Sequence, residues 1–250
     1  MSTPPASSGD DSGAAIAAIV RESVSVLPAP NPALEPQLRQ YLEALLVANR
    51  GINLVSRKDT LVHLARFTRE CLFLASLLER DASAHRDAIG LLDIGSGGGF
   101  PGIVLKLALP QVETVLVEGT QKKARFLADV CGSLDLRGIK VIWARAEALV
   151  DRASQYHRPD MRHDFDWVTA KGLGLLRDTL DLAAPFLRDG GELWTFKGAG
   201  YESEVDASRR RLTQLGCRLQ RVERIPVEQE SYVLAVRRLP GSKRPSQTCD

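Results

Sequence analysis

Residues 91–102 read Leu-Leu-Asp-Ile-Gly-Ser-Gly-Gly-Gly-Phe-Pro-Gly, an apolar segment that ends in an acid and then in a glycine-rich turn. Glycines leave no side chain in the way, so such a turn can lay its backbone against a ligand. A second apolar segment ends in Glu118, twenty-five residues after Asp93. A carboxylate at the end of the next parallel strand can accept hydrogen bonds from both hydroxyls of a ribose. Together these features predict a nucleoside cofactor.

The order of acid and glycines distinguishes between cofactors. Asp93 is followed by Gly95, Gly97 and Gly99 at alternate positions, although the dinucleotide pattern G-x-G-x-x-G can also be extracted as Gly97, Gly99 and Gly102. Asp93 would set a negative charge beside phosphates, whereas it would attract the ammonium group of a methionine moiety. The acid-first arrangement resembles motif I of class I S-adenosylmethionine methyltransferases. A glycine turn that serves packing alone remains the alternative.

Length and composition fit one catalytic domain with an extension. The 250 residues are 44% hydrophobic and 26% charged, and the net charge of +2 gives no global basic field for nucleic acid. Four scattered cysteines lack metal-ligand spacing and fit reduced thiols in a cytoplasm. The sequence has no membrane-spanning window and no secretory signal at its start. We therefore expect a cytoplasmic protein without a metal.

The chain divides into four regions. Residues 1–14 have the polar composition of a disordered tail, and residues 15–85 carry leucines at helical spacing. Residues 86–239 alternate short apolar strands with amphipathic helices, and residues 240–250 form a polar tail. The alternation predicts a doubly wound, Rossmann-like α/β sheet that is mostly parallel.

The last two predicted strands have no room for a helix between them, so they predict a closing antiparallel hairpin. Five alternating units followed by such a hairpin are typical of the class I methyltransferase fold, whereas dinucleotide domains usually end with a sixth parallel strand. The predicted strands lie near residues 89–95, 112–118, 139–144, 165–170, 191–197, 217–226 and 230–238.

Two further positions carry an ambiguous signal. Ala146 and Glu147 follow the third strand, where backbone groups can meet the edge of an adenine, but an acid there is also a favourable helix start. Phe100 can cover the cofactor or pack beneath the first helix of the sheet domain.

The end of the fourth strand, residues 165–172, indicates which nucleophile is methylated. The sequence contains no Asn/Asp-Pro-Pro-Tyr turn of the kind that serves exocyclic amines, and no cysteine stands at a strand end in this half for attack on a pyrimidine. An acceptor that is already nucleophilic remains, and guanine N7 is one. Its lone pair needs no deprotonation, so alignment, electrostatics and desolvation suffice.

Five blocks of the chain make the resemblance specific, because together they are similar to the RsmG/GidB family of bacterial 16S ribosomal RNA guanosine N7 methyltransferases. The similarity spans about residues 35–238. The blocks are Asn53-Leu54 with Arg57 and Asp59, the turn ending in Phe-Pro-Gly, Lys122-Lys123-Ala-Arg125-Phe126-Leu127, Arg145-Ala146-Glu147 and Phe196-Lys197-Gly198.

The chain departs from that family in two places. The family pattern has an arginine in a Ser-Arg-Ala triplet after strand four, where this chain has Ala170-Lys171-Gly172. Lysine keeps the charge but loses the planar fork of arginine. The family's His-x-x-Asp-Ser segment is Phe67-Thr68-Arg69-Glu70-Cys71 here. The resemblance therefore implies a divergent member, with Lys171 in the place of the arginine near the transferred methyl or the O6/N7 edge of guanine.

These observations predict an S-adenosylmethionine-dependent methyltransferase that modifies N7 of a guanosine in 16S ribosomal RNA, with the RNA, the 30S subunit or its precursor as partner, acting as a monomer. A small-molecule methyltransferase, or a cofactor- and RNA-binding protein with impaired catalysis, stays open, and a dinucleotide oxidoreductase is a third alternative. Lys171 is the candidate catalytic residue, and Lys122, Lys123, Arg125 and Lys197 are candidate RNA contacts. The candidate cofactor contacts are Asp93, Gly95, Gly97, Gly99, Phe100, Glu118, Ala146, Glu147 and Lys171.

Overall fold

Three helices precede the sheet in the computed structural model, which describes residues 8–82 and 88–242. They are α1 (Ser8–Val24), α2 (Leu34–Ala48) and α3 (Thr60–Ala82). In α1 an alanine-rich stretch favours the helix, and Ile16 and Val20 are buried one turn apart on the same face. Residues 8–14 of the predicted disordered tail lie in α1. Residues 1–7 and 243–250 of the two predicted tails lie outside the described residues.

Seven strands form a single sheet in the order β3-β2-β1-β4-β5-β7-β6. The first five are parallel, and β7 is inserted antiparallel between β5 and β6. The predicted class I methyltransferase fold, with its C-terminal antiparallel hairpin, is confirmed. The strands are β1 (Gly90–Ile94), β2 (Glu113–Glu118), β3 (Ile139–Trp143), β4 (Phe165–Ala170), β5 (Leu187–Lys197), β6 (Cys217–Arg224) and β7 (Tyr232–Arg238).

Helices cover both faces of the sheet, so its central strands are buried on both sides and read as continuous apolar runs. One core packs α1–α3, α4 and α5 against the sheet, and the second packs the opposite face against α7 and α8. A 3₁₀ turn (Pro159–Met161) precedes β4. The remaining helices are α4 (Gly102–Ala108), α5 (Gln121–Ser133), α6 (Ala146–Val150), α7 (Leu176–Ala183) and α8 (Tyr201–Gln214).

The topology brings three chain segments to one edge of the sheet. The register pairs Ile94 at the end of β1 with Val117 on one side and Ala170 on the other. The turn after β1, the acid that ends β2 and the segment after β4 therefore adjoin at the carboxyl edge, where the strand order reverses and ligands bind in such sheets. Within the described ranges, no helix combines the length and apolarity that crossing a lipid bilayer requires.

Candidate active site

The glycine turn, residues 95–102, follows β1 in a conformation that requires glycine. Gly95, Gly97 and Gly99 have φ angles of +70°, +55° and +104°, in the left-handed region where a Cβ is strained. The amides of Gly95 and Ser96 donate to the carbonyl of Val117 at 2.8 and 3.1 Å, which fixes the turn against β2. The turn thus presents backbone at the point where β1 and β2 end.

Asp93 lies beneath the glycine turn and is fully buried. Its Oδ1 accepts a hydrogen bond from Thr169 Oγ1 at 2.8 Å, and its Oδ2 accepts one from the Gly102 amide at 3.2 Å. Two adjoining cavities open at this edge of the sheet: the first lies over the ends of β1, β2 and β3, and the second lies beside it. Asp93 is not among the described residues that line either cavity. The carboxylate thus links β1, β4 and α4 and positions the turn from below, and its predicted contact with a ligand's ammonium group stays a prediction.

Burial gives Asp93 a testable signature. It raises the pKa of the Asp93 carboxyl to about 6, above the ordinary 3.8. The folded chain then holds this proton more tightly than the unfolded chain, so the group's contribution lowers the free energy of unfolding as pH rises from about 4 to about 6, by up to about 3 kcal/mol. Urea unfolding measures the free energy of unfolding at several pH values. The value for Asp93→Asn should rise relative to that of the wild type between about pH 4 and about pH 6, and the difference should stay constant at higher pH. The control is Asp129→Asn on the exposed side of α5, whose free energy of unfolding should depend on pH as that of the wild type does. The same pH dependence in Asp93→Asn would contradict a raised pKa at Asp93.

The end of the glycine turn faces away from the first of the two cavities. A Cβ on Gly99 would meet Ile103 at 2.7 Å and the Tyr41 hydroxyl at 2.9 Å, and Gly99 is absent from the described lining of both cavities. Gly99 therefore packs against the helical extension and α4 in this structure, and its contact with the cofactor stays a prediction. Phe100 packs its ring 5.6 Å from those of Tyr41 and Phe67 and lines the second cavity.

The first cavity, about 460 Å³, lies over the ends of β1, β2 and β3. This volume suits a small-molecule ligand. The lining also includes residues that were not predicted as cofactor contacts, among them Lys123, Arg145 and Leu173, although Arg145 stands in a block that carries the family resemblance. The cavity brings together six of the predicted cofactor contacts: Gly95, Gly97, Glu118, Ala146, Glu147 and Lys171.

Glu118 forms the polar wall of the first cavity. Its Oε2 accepts a hydrogen bond from the Gly97 amide at 2.9 Å, and its Oε1 accepts one from the Thr120 amide at 2.7 Å. Each carboxylate oxygen can accept a second hydrogen bond. The acid is thereby aimed by two backbone amides and retains acceptor capacity for two ligand hydroxyls.

The second cavity, about 400 Å³, adjoins the first and is lined by aromatic and charged side chains. Its rings are Phe67, Phe100 and Phe196, and its charged groups include Arg66 and Glu70. Glu70 was not predicted as a site residue. The two cavities share one wall, formed by Leu54, Gly95, Gly97, Lys171 and Gly172.

Lys171 stands in this shared wall. Its ammonium group forms an ion pair with the carboxylate of Glu70. The Nζ atom also lies 4.1 Å from the ring centroid of Phe67 and 4.8 Å from that of Phe196, distances that give cation–π attraction. The lysine is thus held where a ligand in one cavity would face a ligand in the other.

The side chain of Lys197, a predicted RNA contact, is mostly buried and bonds to other protein groups. Its side chain is 5% exposed, and Nζ donates to the Gly174 carbonyl at 2.6 Å and to Glu204 Oε2 at 2.7 Å. The same Glu204 oxygen accepts the Leu176 amide at 2.8 Å. Lys197 thus ties β5 and α8 to the segment after β4 that carries Lys171, and since it also lines the cavity that holds Phe67 and Phe196, its contact with RNA stays a prediction.

The other three predicted RNA contacts lie in the first turns of α5. Lys122 and Arg125 are exposed, and Lys123 is half-buried at the first cavity. Their positions near the mouth of this cavity keep them available to a polyanion.

The helical extension supports the glycine turn directly. The Tyr41 hydroxyl of α2 donates to the Gly98 carbonyl at 2.7 Å. A Cβ on Gly98 would lie 3.4 Å from Leu45 and from Leu54, so the turn already touches the extension. Asn49 Oδ1 accepts the amides of Leu54 and Val55 at 2.8 and 3.0 Å and holds that loop in the cavity wall. The extension is therefore part of the site.

Comparison with known proteins agrees with this geometry. The sequence model of the GidB family, described as rRNA small subunit methyltransferase G, matches residues 34–233. The chain belongs to this family. Two relatives named ribosomal RNA small subunit methyltransferase G illustrate the similarity. The Chloroflexus aggregans protein is 33% identical over 211 residues, which cover 83% of this chain and 84% of the relative. The Sorangium cellulosum protein is 39% identical over 169 residues, 68% of this chain and 66% of the relative.

Solved structures share the architecture. The [4+2]-cyclase SpnF aligns with a TM-score of 0.50 at 14% identity, covering 66% of this chain and 80% of that chain. At such low identity the likeness concerns the fold alone, since one fold hosts many chemistries.

Proposed function

We propose that the protein is an S-adenosylmethionine-dependent methyltransferase that methylates N7 of a guanosine in 16S ribosomal RNA. The observation that carries the proposal is the shared wall between the two cavities. One cavity offers a carboxylate suited to a ribose, the other offers rings and charges suited to a base, and both open onto Gly95, Gly97 and Lys171. A methyl donor and its acceptor need such an arrangement.

The first cavity fits the cofactor. Glu118 accepts the ribose hydroxyls, the segment at Ala146 and Glu147 borders the adenine, and the turn at Gly95 and Gly97 admits the methionine end without a side chain in the way. A Cβ on Gly97 would find no protein atom nearer than the Gly95 carbonyl at 3.7 Å, so this face of the turn is open. When bound, the cofactor supplies an electrophilic methyl group on a sulfonium.

The second cavity suits an acceptor that needs no general base. Phe67 and Phe196 provide apolar surface for a purine ring, and Lys171 provides N–H donors for an oxygen acceptor such as guanine O6, which neighbours N7. The N7 lone pair forms the new bond to carbon as the sulfur–methyl bond breaks, and no proton has to leave N7. The protein's task is to align the two partners and exclude water.

The RNA partner is proposed from the family and from local charge. The exposed Lys122 and Arg125 on α5 stand near the cavity mouth and can contact phosphates. Because the substrate is ribosomal RNA or the small subunit, we place the protein in the cytoplasm, and we propose that it acts as a monomer.

Mapping of the methylated nucleotide tests the proposed function. Purified protein, labelled S-adenosylmethionine and 30S subunits from a strain that lacks the endogenous family member should yield N7-methylguanosine at one position of 16S RNA, located by mass spectrometry of RNA fragments. Label in a different nucleotide would contradict the proposal. Turnover without RNA would favour a small-molecule enzyme, and tight cofactor binding without turnover would indicate an impaired enzyme. Titration with NAD, expected to give no binding, separates the oxidoreductase alternative.

A further inference from the structure

The two places where the chain departs from its family pattern touch each other. Glu70 of α3 and Lys171 after β4 are 101 residues apart in sequence, yet they form an ion pair in the wall between the cavities. We propose that Glu70 is a positioning residue that aims and neutralises the Lys171 ammonium group. This inference rests on the proposed methyl transfer to guanine N7.

The carboxylate of Glu70 is fixed by more than one element. It is 3% exposed, and its Oε1 accepts a hydrogen bond from Ser231 Oγ, at the start of β7, at 2.9 Å. Arg66 Nε lies 3.9 Å from the same oxygen. The other oxygen faces Lys171. A carboxylate fixed in this way restricts the position of the Lys171 ammonium group with which it pairs.

Lys171 is correspondingly confined. Its side chain is 14% exposed and its ammonium lies between the faces of Phe67 and Phe196. An ammonium has three donors, and the ion pair occupies one. The remaining donors can serve an acceptor in the second cavity while Glu70 holds the group in place.

Charge explains why the carboxylate matters for the chemistry. Methyl transfer moves one positive charge from the sulfonium in the first cavity onto the purine in the second. An uncompensated ammonium in the wall between them would repel that arriving charge, and the repulsion is strong where water is excluded. Glu70 makes the pair neutral, so Lys171 can bind an oxygen of the base without opposing the transfer.

Side-chain length offers a way to test the pair. Arginine extends further than lysine, whereas aspartate is one methylene shorter than glutamate. A short acid with a long base therefore spans about the same gap as Glu70 with Lys171, whereas either change alone alters the distance between the two charged groups.

A double-substitution cycle tests the pairing. Glu70→Asp and Lys171→Arg should each lower kcat about tenfold, and the double variant should recover to within about threefold of the wild type, because coupled neighbours are non-additive. The assay is methylation of 30S subunits, with kcat, KM for the subunits and Kd for S-adenosylmethionine measured separately. The Kd of Glu70→Asp should change little, since Glu70 lines the second cavity and not the first, whereas Lys171 belongs to both.

Glu70→Gln removes the charge and keeps the shape. It should lower kcat about a hundredfold, the range observed for a lost electrostatic contact at a reacting centre. The matched control is Glu192→Gln, because Glu192 on β5 is equally buried and pairs with Arg237 at 3.1 Å, away from the cavities. This control should keep the wild-type kcat. Thermal unfolding of each variant separates loss of fold from loss of function.

Distinct outcomes overturn the inference and the proposed function. Additive losses in the double variant, or wild-type kcat in Glu70→Gln, contradict the positioning role while the wild type still methylates N7. Failure of the wild type itself to methylate guanosine N7 contradicts the proposed function instead.

Discussion

Replacement of Gly97 by valine is expected to abolish binding of S-adenosylmethionine, with an affinity loss of more than about 100-fold. Two effects combine. The φ angle of +55° is a left-handed conformation that costs an L residue roughly 1–2 kcal/mol, and a β-branched side chain suffers most. The added methyl groups would also project from the open face of the turn, at the wall that both cavities share. Isothermal titration with the cofactor measures the loss.

The matched control for Gly97→Val is Gly190→Val. Gly190 also has a positive φ angle, +80°, and a Cβ there would meet no protein atom within 4 Å. It lies in β5 near its start, away from the carboxyl edge. This variant should bear similar backbone strain and bind the cofactor normally. Cofactor binding retained by Gly97→Val would contradict the assignment of the first cavity.

Replacement of Glu118 by alanine is expected to weaken cofactor binding about 100-fold. Hydrogen bonds to a charged group contribute about 1.5–3 kcal/mol each, and a factor of ten corresponds to about 1.4 kcal/mol. The variant also frees the amides of Gly97 and Thr120, which Glu118 now orients. Both effects act on the first cavity, so the measurement is the Kd for S-adenosylmethionine.

An analogue identifies the ribose as the partner of Glu118. The wild type should bind a 2′,3′-dideoxyribose analogue more weakly than the cofactor, by part of the loss seen in Glu118→Ala, because the analogue leaves the bonds of Glu118 to the Gly97 and Thr120 amides intact, and the variant should lose nothing more with the analogue. Glu113→Ala, an exposed glutamate at the other end of β2, serves as the control and should bind normally. Independent losses from the protein change and the ligand change would contradict the contact.

The sheet and the backbone part of the site could be predicted from the sequence. Alternating apolar segments, the glycine turn and Glu118 are local patterns, and the edge where they meet follows from the rules of parallel sheets. The polar roles of Asp93 and Lys197 were not predictable in the same way. Their partners, Thr169 and Glu204, come from other elements, so tertiary packing decided whether each charge faces a ligand or the interior.

The ion pair in the wall of the second cavity could not be predicted either, because its two residues are far apart in the sequence. Glu70 and Lys171 were each visible as departures from a family pattern, but only the fold brings α3 against the segment after β4. Similarly, the polar composition of residues 1–14 indicated disorder, whereas α1 already begins at Ser8 and buries Ile16 and Val20 further along the same helix. Burial that depends on a distant surface leaves no local signature.

The shared wall has a thermodynamic consequence. Leu54, Gly95, Gly97, Lys171 and Gly172 belong to both cavities, so a shift of this wall when one ligand binds alters the shape met by the other. Linkage then requires reciprocity: the factor by which RNA changes cofactor affinity equals the factor by which the cofactor changes RNA affinity. Leu54 belongs to the loop of the helical extension. Any contact that RNA makes with that extension would therefore also change the affinity for the cofactor. The methyl donor and the RNA would therefore set each other's affinity for the enzyme through this shared wall.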